Sequence, residues 1–426
     1  MMGSAYLYGL AQANLEINAV QGILLGAFVF VPLFLKEKIT TITQFIRLKL
    51  GDRIALFYSL ANMGLFATVT LGAALFWGAY AADMVFGDQL QFLHPNRIYR
   101  IAILIAILGC FSALYTYHGG LSAVVKTDII QFSVLLIGGT VVCWIAVSEL
   151  GGWGALYEKT PEKMHLHLAS THPTLPWTHM LGLFFLNINY WCANQTVMQR
   201  ALAARSVAHA QTGLMVGGVL KYFMAIIIVV PGIALYGLLG DGLAEPDLAF
   251  PYLVKTYLPV GIKGIILCGL FASLMSTVDS TFNSLATLWS TDIYAHYIQP
   301  KASDAEKIQA GRYAILFSLG TALLMGFVLL YLKFDNPNAA FTHTLNYLRY
   351  YINCGIVVLI CSAVLLLQPN PKPILWAFIT TLPVNIVLQN LFPEMNYFLR
   401  AFYVIALGLT LASRGNWRRV IDFSSF

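Results

Sequence analysis

HAQTGLMVGGVLKYFMAIIIVVPGIALYGL, residues 209–238, is thirty residues long and carries one lysine, Lys221, and no carboxylate. A hydrocarbon layer about 30 Å thick is crossed by about 20 mostly apolar helical residues. The stretch therefore reads as a membrane-spanning helix. Ten further runs share its character, near 5–35, 54–86, 98–117, 121–148, 176–199, 260–291, 311–332, 341–367, 373–391 and 396–412. Barrel strands would instead alternate apolar and polar residues over about ten positions, and no run does so. The fold class is all-α: a polytopic membrane protein with about eleven transmembrane helices.

Composition agrees. Hydrophobic residues make up 58% of the chain and charged ones 10%, against about 25% charged in a soluble domain. The net charge of +6 invites a nucleic-acid partner, but in a membrane chain the distribution of Lys and Arg carries more information than their sum. With the first residue placed outside, fifteen basic residues (among them Lys36, Lys38, Arg47, Lys126, Arg200, Lys307, Arg312, Lys372, Arg418 and Arg419) fall on one side and eight (among them Arg97, Arg100, Lys163, Lys255 and Arg400) on the other. This asymmetry puts the C-terminal tail in the cytoplasm and the chain in a plasma or inner membrane.

The six cysteines lie singly inside the runs and read as packing residues. No linker rich in Pro, Gly and Ser divides the chain. Residues 36–53 have room for a short helix on the basic side. The 149–175 connection carries His165, His167 and His172, which read as a solvated loop more readily than as a metal site, since no acidic or Cys partner stands at ligand spacing.

Ionisable groups at bilayer depth are expensive and normally face a cavity or a partner. Glu16, Asp128, Lys221, Asp279 and Arg349 all fall in runs. Pairs such as Glu16 with Lys221, or Asp279 with Arg349, would account for some of them. Asn187-Ile188-Asn189-Tyr190-Trp191 crowds amides and aromatics into one span, which suits either a solute pocket or an interhelical amide clamp. Ser273, Ser276, Thr277, Ser280, Asn283, Ser284 and Thr287 recur every three or four residues and form one helical stripe. Small polar residues at that spacing let helices approach closely; this many oxygens also suits half of a sodium site, completed by carbonyls where another helix unwinds.

Three stretches carry a family pattern: His118-Gly119-Gly120-Leu121-Ser122 through Lys126-Thr127-Asp128 to Gln131, Asn194-Gln195 through Gln199-Arg200 to Ala204, and Ser276-Thr277 through Asn283-Ser284 to Asp292-Ile293-Tyr294. In them the chain resembles the sodium:solute symporter family, the group of the sodium/glucose cotransporters, over about residues 3–350. The resemblance implies a leucine-transporter-like fold of two inverted five-helix repeats, with substrate and sodium near the midplane. It implies sodium as coupling ion, with Ser273, Ser276 and Thr277 as ligands and Asp128 at a further cation site. It implies solute contacts from Glu16, Asn187 and Lys221, with Tyr190 closing the inner side beside Trp191.

Three departures stand out. Arg349 replaces a glutamine of the sugar transporters, and a guanidinium clamps carboxylates. Asp279 has no counterpart in them. Met2-Gly3-Ser4-Ala5-Tyr6 resembles the junction after the family's first core helix, so the expectation is that residues 1–367 supply core helices two to ten, that 368–426 add two peripheral helices and a tail, and that coding sequence lies upstream of Met1.

The functional expectation is a secondary active transporter, not an enzyme: there is no HExxH, and the membrane histidines are scattered. It would import a small polar solute, a sugar or polyol, with sodium, from within a lipid bilayer. An acidic-sugar or organic-anion symporter using Arg349, and an uncoupled or non-functional truncated member of the family, are the alternatives.

Overall fold

Every apolar run is helical in the computed structural model, which describes residues 1–243, 245–335, 341–366 and 369–414. The helices used below are α1 (Met2–Lys36), α2 (Ile42–Leu50), α3 (Asp52–Phe86), α4 (Arg97–Gly119), α5 (Val124–Leu150), α6 (His179–Cys192) and α7 (Gln195–Leu202). They continue as α8 (Val207–Leu239), α9 (Ala249–Tyr257), α10 (Gly261–Ile298), α11 (Asp304–Asp335), α12 (Phe341–Leu365), α13 (Pro371–Leu391) and α14 (Tyr397–Ser413). Among the described residues, eight are long and apolar enough to cross a membrane: α1, α3, α4, α5, α8, α10, α11 and α13. Gln368, Arg418 and Arg419 lie outside the described residues.

One expected span is two helices. The run at 176–199 breaks after Cys192, and Asn194 restarts it as α7, its side chain accepting from the Thr196 amide at 2.9 Å. Asparagine is a strong N-cap because its short amide satisfies an orphan backbone donor. The break turns the polar α7 inward, away from the axis of α6. By backbone hydrogen bonding α4 and α5 form one helical segment, Arg97–Leu150. Its halves nevertheless pack on α10 in opposite senses: Thr116 meets Asp279, whereas Asp128 meets Ser276 and Leu135 lies beside Gly269. The chain therefore doubles back between Thr116 and Asp128.

Helix α1 is interrupted by a 3-10 turn at Gly9–Ala13 and π turns at Gly26–Phe30. Gly9 has φ +63°, and a Cβ there would lie 2.2 Å from the Lys163 carbonyl oxygen, so only glycine permits this contact. Pro231 sits inside α8, where its missing N–H breaks the ladder.

The expected short helix at 36–53 is α2. Thr41 and Gln44 form a capping box at its start, satisfying two orphan donors reciprocally. This segment is bolted to neighbours on two sides. Gln195 of α7 accepts from the Ile42 amide (3.1 Å) and donates to the Thr40 carbonyl (3.3 Å). On the other side Thr41 donates to the buried Asp292 carboxylate of α10 (2.8 Å), and Arg47 donates to the Asp292 carbonyl (3.3 Å).

Three apolar cores hold the bundle. One joins α1 and α2 to α6 and α12–α14; a second joins α3, α4, α10 and α11; a third packs the start of α1 on α5, α8 and α9. At the end opposite the basic loops, buried Asp83 of α3 accepts from Arg97 and Arg100 of α4, and Arg100 also donates to the His94 and Pro95 carbonyls. Large apolar residues on the outside, such as Trp144, Val219 and Phe317, are 60–73% exposed, as a lipid-facing surface requires. All six cysteines are free; Cys143, Cys192, Cys354 and Cys361 pack inside as expected, whereas Cys110 and Cys268 lie on the surface.

Candidate ion and solute site

The serine and threonine stripe lies on α10, and its middle is tied to two neighbouring helices. Ser276 Oγ donates to the Asp128 carboxylate of α5. Arg200 of α7 reaches the same carboxylate through Nη2 and, at 3.2 Å, through Nε; its Nη2 also donates to Ser280 Oγ at 2.7 Å. Gln199 donates to the Ser280 carbonyl (3.3 Å) and accepts from Asn283 (2.9 Å). Charge-assisted bonds of this kind are about twice as strong as neutral ones, so α5, α7 and α10 converge on one carboxylate.

Beside this knot lies a polar cavity of about 510 Å³, lined from α3, α6, α7, α10 and α12. Thr277, Tyr190, Asn189, Asn62, Arg349 and Asn353 contribute to its wall. Thr277 Oγ1 donates to the Ser273 carbonyl at 3.2 Å, which leaves its lone pairs free for a cation. Ser273 itself faces a different cavity of about 580 Å³, mostly apolar, with Met1, Met2, Trp77 and Gly138 in its wall. The three expected sodium ligands are thus divided, Ser276 and Thr277 on the polar cavity and Ser273 on the apolar one.

The expected solute contacts divide as well. Lys221 of α8 donates to Glu16 of α1, and its ammonium lies 5.4 Å from the Trp191 ring centre. Asn187 is next to them, on the face of α6 against which α1 packs closely: a Cβ at Gly22 would stand 2.8 Å from the Asn187 carbonyl oxygen. The Asn187 amide nitrogen is buried without a partner among the described residues, an unmet donor of the kind a bound hydroxyl satisfies. Glu16, Asn187, Trp191 and Lys221 do not line the polar cavity; Tyr190 and Arg349 do.

The other anticipated pair does not form. Asp279 accepts from Thr116 at 3.2 Å, and Arg349 makes no ion pair among the described residues. The two sit on different sides of α10, which depth along a helix does not reveal. The loop histidines do not gather either: among the described residues no group of three or more His, Cys, Asp or Glu could hold a metal ion. His172 Nδ1 accepts the Thr174 and Leu175 amides (3.3 and 3.0 Å), and burial holds its pKa below the usual histidine value. It is a turn residue.

Arg200 and Gln199 are the residues sequence reasoning missed. Both stood in the quoted motif, but Arg200 was counted only as a basic loop residue. An arginine six residues beyond an N-capping asparagine was the available signal.

The sequence model of the Sodium:solute symporter family matches residues 1–380. A sodium/glucose cotransporter of Vibrio parahaemolyticus is 33% identical over 356 residues, covering 76% of this chain and 63% of that protein. Sodium/myo-inositol cotransporter 2 of Sus scrofa is 28% identical over 360 residues, covering 76% and 52%. The chain thus spans less than two thirds of the length of these relatives. Among solved structures, a Na+-coupled sialic acid symporter in a substrate-bound outward-open state superposes with a TM-score of 0.81 at 19% identity, over 99% of this chain and 87% of that one. Mhp1 in an inward-facing conformation gives 0.54 at 14% identity, over 97% and 90%. These likenesses establish the leucine-transporter-like fold.

Proposed function

The chain belongs to the sodium:solute symporter family, and from that premise we propose that it couples inward sodium movement to uptake of a small polar solute, a sugar or polyol. The observation that carries the reading is the hydroxyl stripe of α10, whose Ser276 shares Asp128 with Arg200 while neighbouring Thr277 opens onto a polar cavity walled by amides and aromatic rings. Hydroxyl and carboxylate oxygens suit a hard monovalent cation. Amides and rings suit a polyhydroxylated solute. The drive is the sodium gradient together with the membrane potential, worth about 2.3 kcal/mol per charge per 100 mV.

The reading places the protein in a plasma or inner membrane with its basic loops cytoplasmic. Its test is uptake by proteoliposomes in sodium and in choline: uptake that ignores the exchange rejects sodium coupling and favours an uncoupled protein. Ser276→Ala with Thr277→Ala is expected to raise the half-saturating sodium concentration about tenfold, the equivalent of about 1.4 kcal/mol. An unchanged sodium dependence removes both residues from the ion site.

A second reading rests on Arg349. Among the described residues the cavity wall contains two guanidinium groups and no carboxylate, and of the two only Arg200 is in an ion pair. A planar guanidinium facing a polar cavity suits bidentate binding of a carboxylate, so the solute is then an acidic sugar. Arg349→Gln is expected to abolish competition by a hexuronate while sparing competition by the matching neutral hexose. Equal loss with both solutes sinks the clamp.

A further inference from the structure

A pocket of about 350 Å³ opens at the basic end of the bundle between α4, α10 and α11, and shares no lining residue with the polar cavity. His118, Lys307 and Arg312 stand in its wall with Asn283, Thr287 and Ser290, and no carboxylate does. Arg312 is the informative member. Its guanidinium lies 4.9 Å from the Tyr117 ring centre, a cation–π arrangement that fixes the plane of the fork. Its Nε is buried and has no hydrogen-bond partner among the described residues. A buried guanidinium donor left unmet is costly. Lys307 is engaged only by Asp304, at 3.1 Å, whose carboxylate is 94% exposed, so water screens that pair.

The surroundings identify the anion's source. From His118, the row one and two turns back along α4 is Leu114 and Phe111, 61% and 58% exposed. From Arg312, Ile308 and Leu316 continue the same face of α11 at 59% and 50%. From His118 the exposed row on α4 therefore runs toward membrane depth, and on α11 Leu316 continues it in the same direction, while Ile308 lies one turn back toward the Asp304 end. A free anion has no use for such apolar rows, whereas a lipid places its phosphate in the pocket and its chains along them.

We propose that this pocket binds the phosphate headgroup of an anionic phospholipid from the leaflet that the basic residues face, with Arg312 as its principal donor and Lys307 and His118 beside it. Basic pockets between transmembrane helices on the cytoplasmic side are suited to such headgroups. The pocket wall reaches the hydroxyl stripe of α10 at Asn283, which donates to Gln199, so its occupancy is read from lipid binding to the protein itself and not from uptake.

The test uses the full chain in detergent micelles. Its thermal unfolding midpoint is followed while phosphatidylglycerol, phosphatidylcholine or inorganic phosphate is added, and lipid retention is counted by native mass spectrometry. A saturable rise with phosphatidylglycerol alone, and retention of at least one such lipid, are expected. Arg312→Gln is expected to weaken the lipid's apparent affinity about tenfold or more, the effect of losing one charge-assisted donor. Equal response to phosphatidylcholine, or an unaltered affinity in Arg312→Gln, overturns the site. Inorganic phosphate reproducing the full effect overturns the lipid assignment. If Arg312→Gln does not fold, Arg312→Lys, which keeps the charge but loses the planar fork, must weaken retention for the proposal to stand.

Discussion

Asp128→Asn is expected to raise the half-saturating sodium concentration by about thirtyfold, equivalent to about 2 kcal/mol, and to lower the unfolding temperature. The carboxylate accepts from both Arg200 and Ser276, so neutralising it strands a guanidinium beside Ser280. Removing one partner of a fully buried pair costs about 3–5 kcal/mol; with side-chain exposures of 34% for Arg200 and 20% for Asp128, water offsets part of that. The opposite change separates ion binding from folding. Arg200→Gln frees the carboxylate for a cation and is expected to lower the half-saturating concentration. Sodium titrations of uptake in both variants check the signs, and a shift in the same direction for the two would show that Asp128 acts only as a structural anchor.

The second large effect concerns Glu16 and Lys221. Their side chains are 10% and 25% exposed, so Glu16→Gln or Lys221→Gln alone leaves one charge facing protein and ring. Each is expected to cut solute uptake by about a hundredfold, or about 2.7 kcal/mol, and to destabilise the protein. The double variant should recover most of the lost thermal stability, because a neutral amide pair has no stranded charge, and should not recover transport. Coupling energies of about 0.5–3 kcal/mol are usual for residues in contact. Additive losses of stability in a double-mutant cycle would show that the two do not act as a pair.

The legible part of this molecule was what a run of residues determines by itself. Run length and apolar character marked out the helices, and burial cost singled out Glu16 and Lys221, which do meet. Azimuth and depth were illegible. Asp279 and Arg349 are both charged and both at membrane depth, yet they face different neighbours because helix rotation is set by packing across the bundle. Ser273 shares the stripe of Ser276 but looks into another cavity, since α10 is wrapped on several sides. Arg200 was hidden by the break at Asn194: only a helix that restarts at a new angle brings a loop arginine onto Asp128.

Helix α2 is fastened at Gln195 to α7 and at Asp292 to α10, and those two helices also meet at the ion site. If the proposed transport proceeds by rocking these helices, the motion would stretch or release a fastening on α2 before the cavity changes its exposure. The balance between the two proposed orientations would then be partly held by α2, which packs into the core yet does not line the polar cavity. An equilibrium set at such a distance can be retuned by evolution, or by a partner that grips α2, with the selectivity of the cavity left as it is.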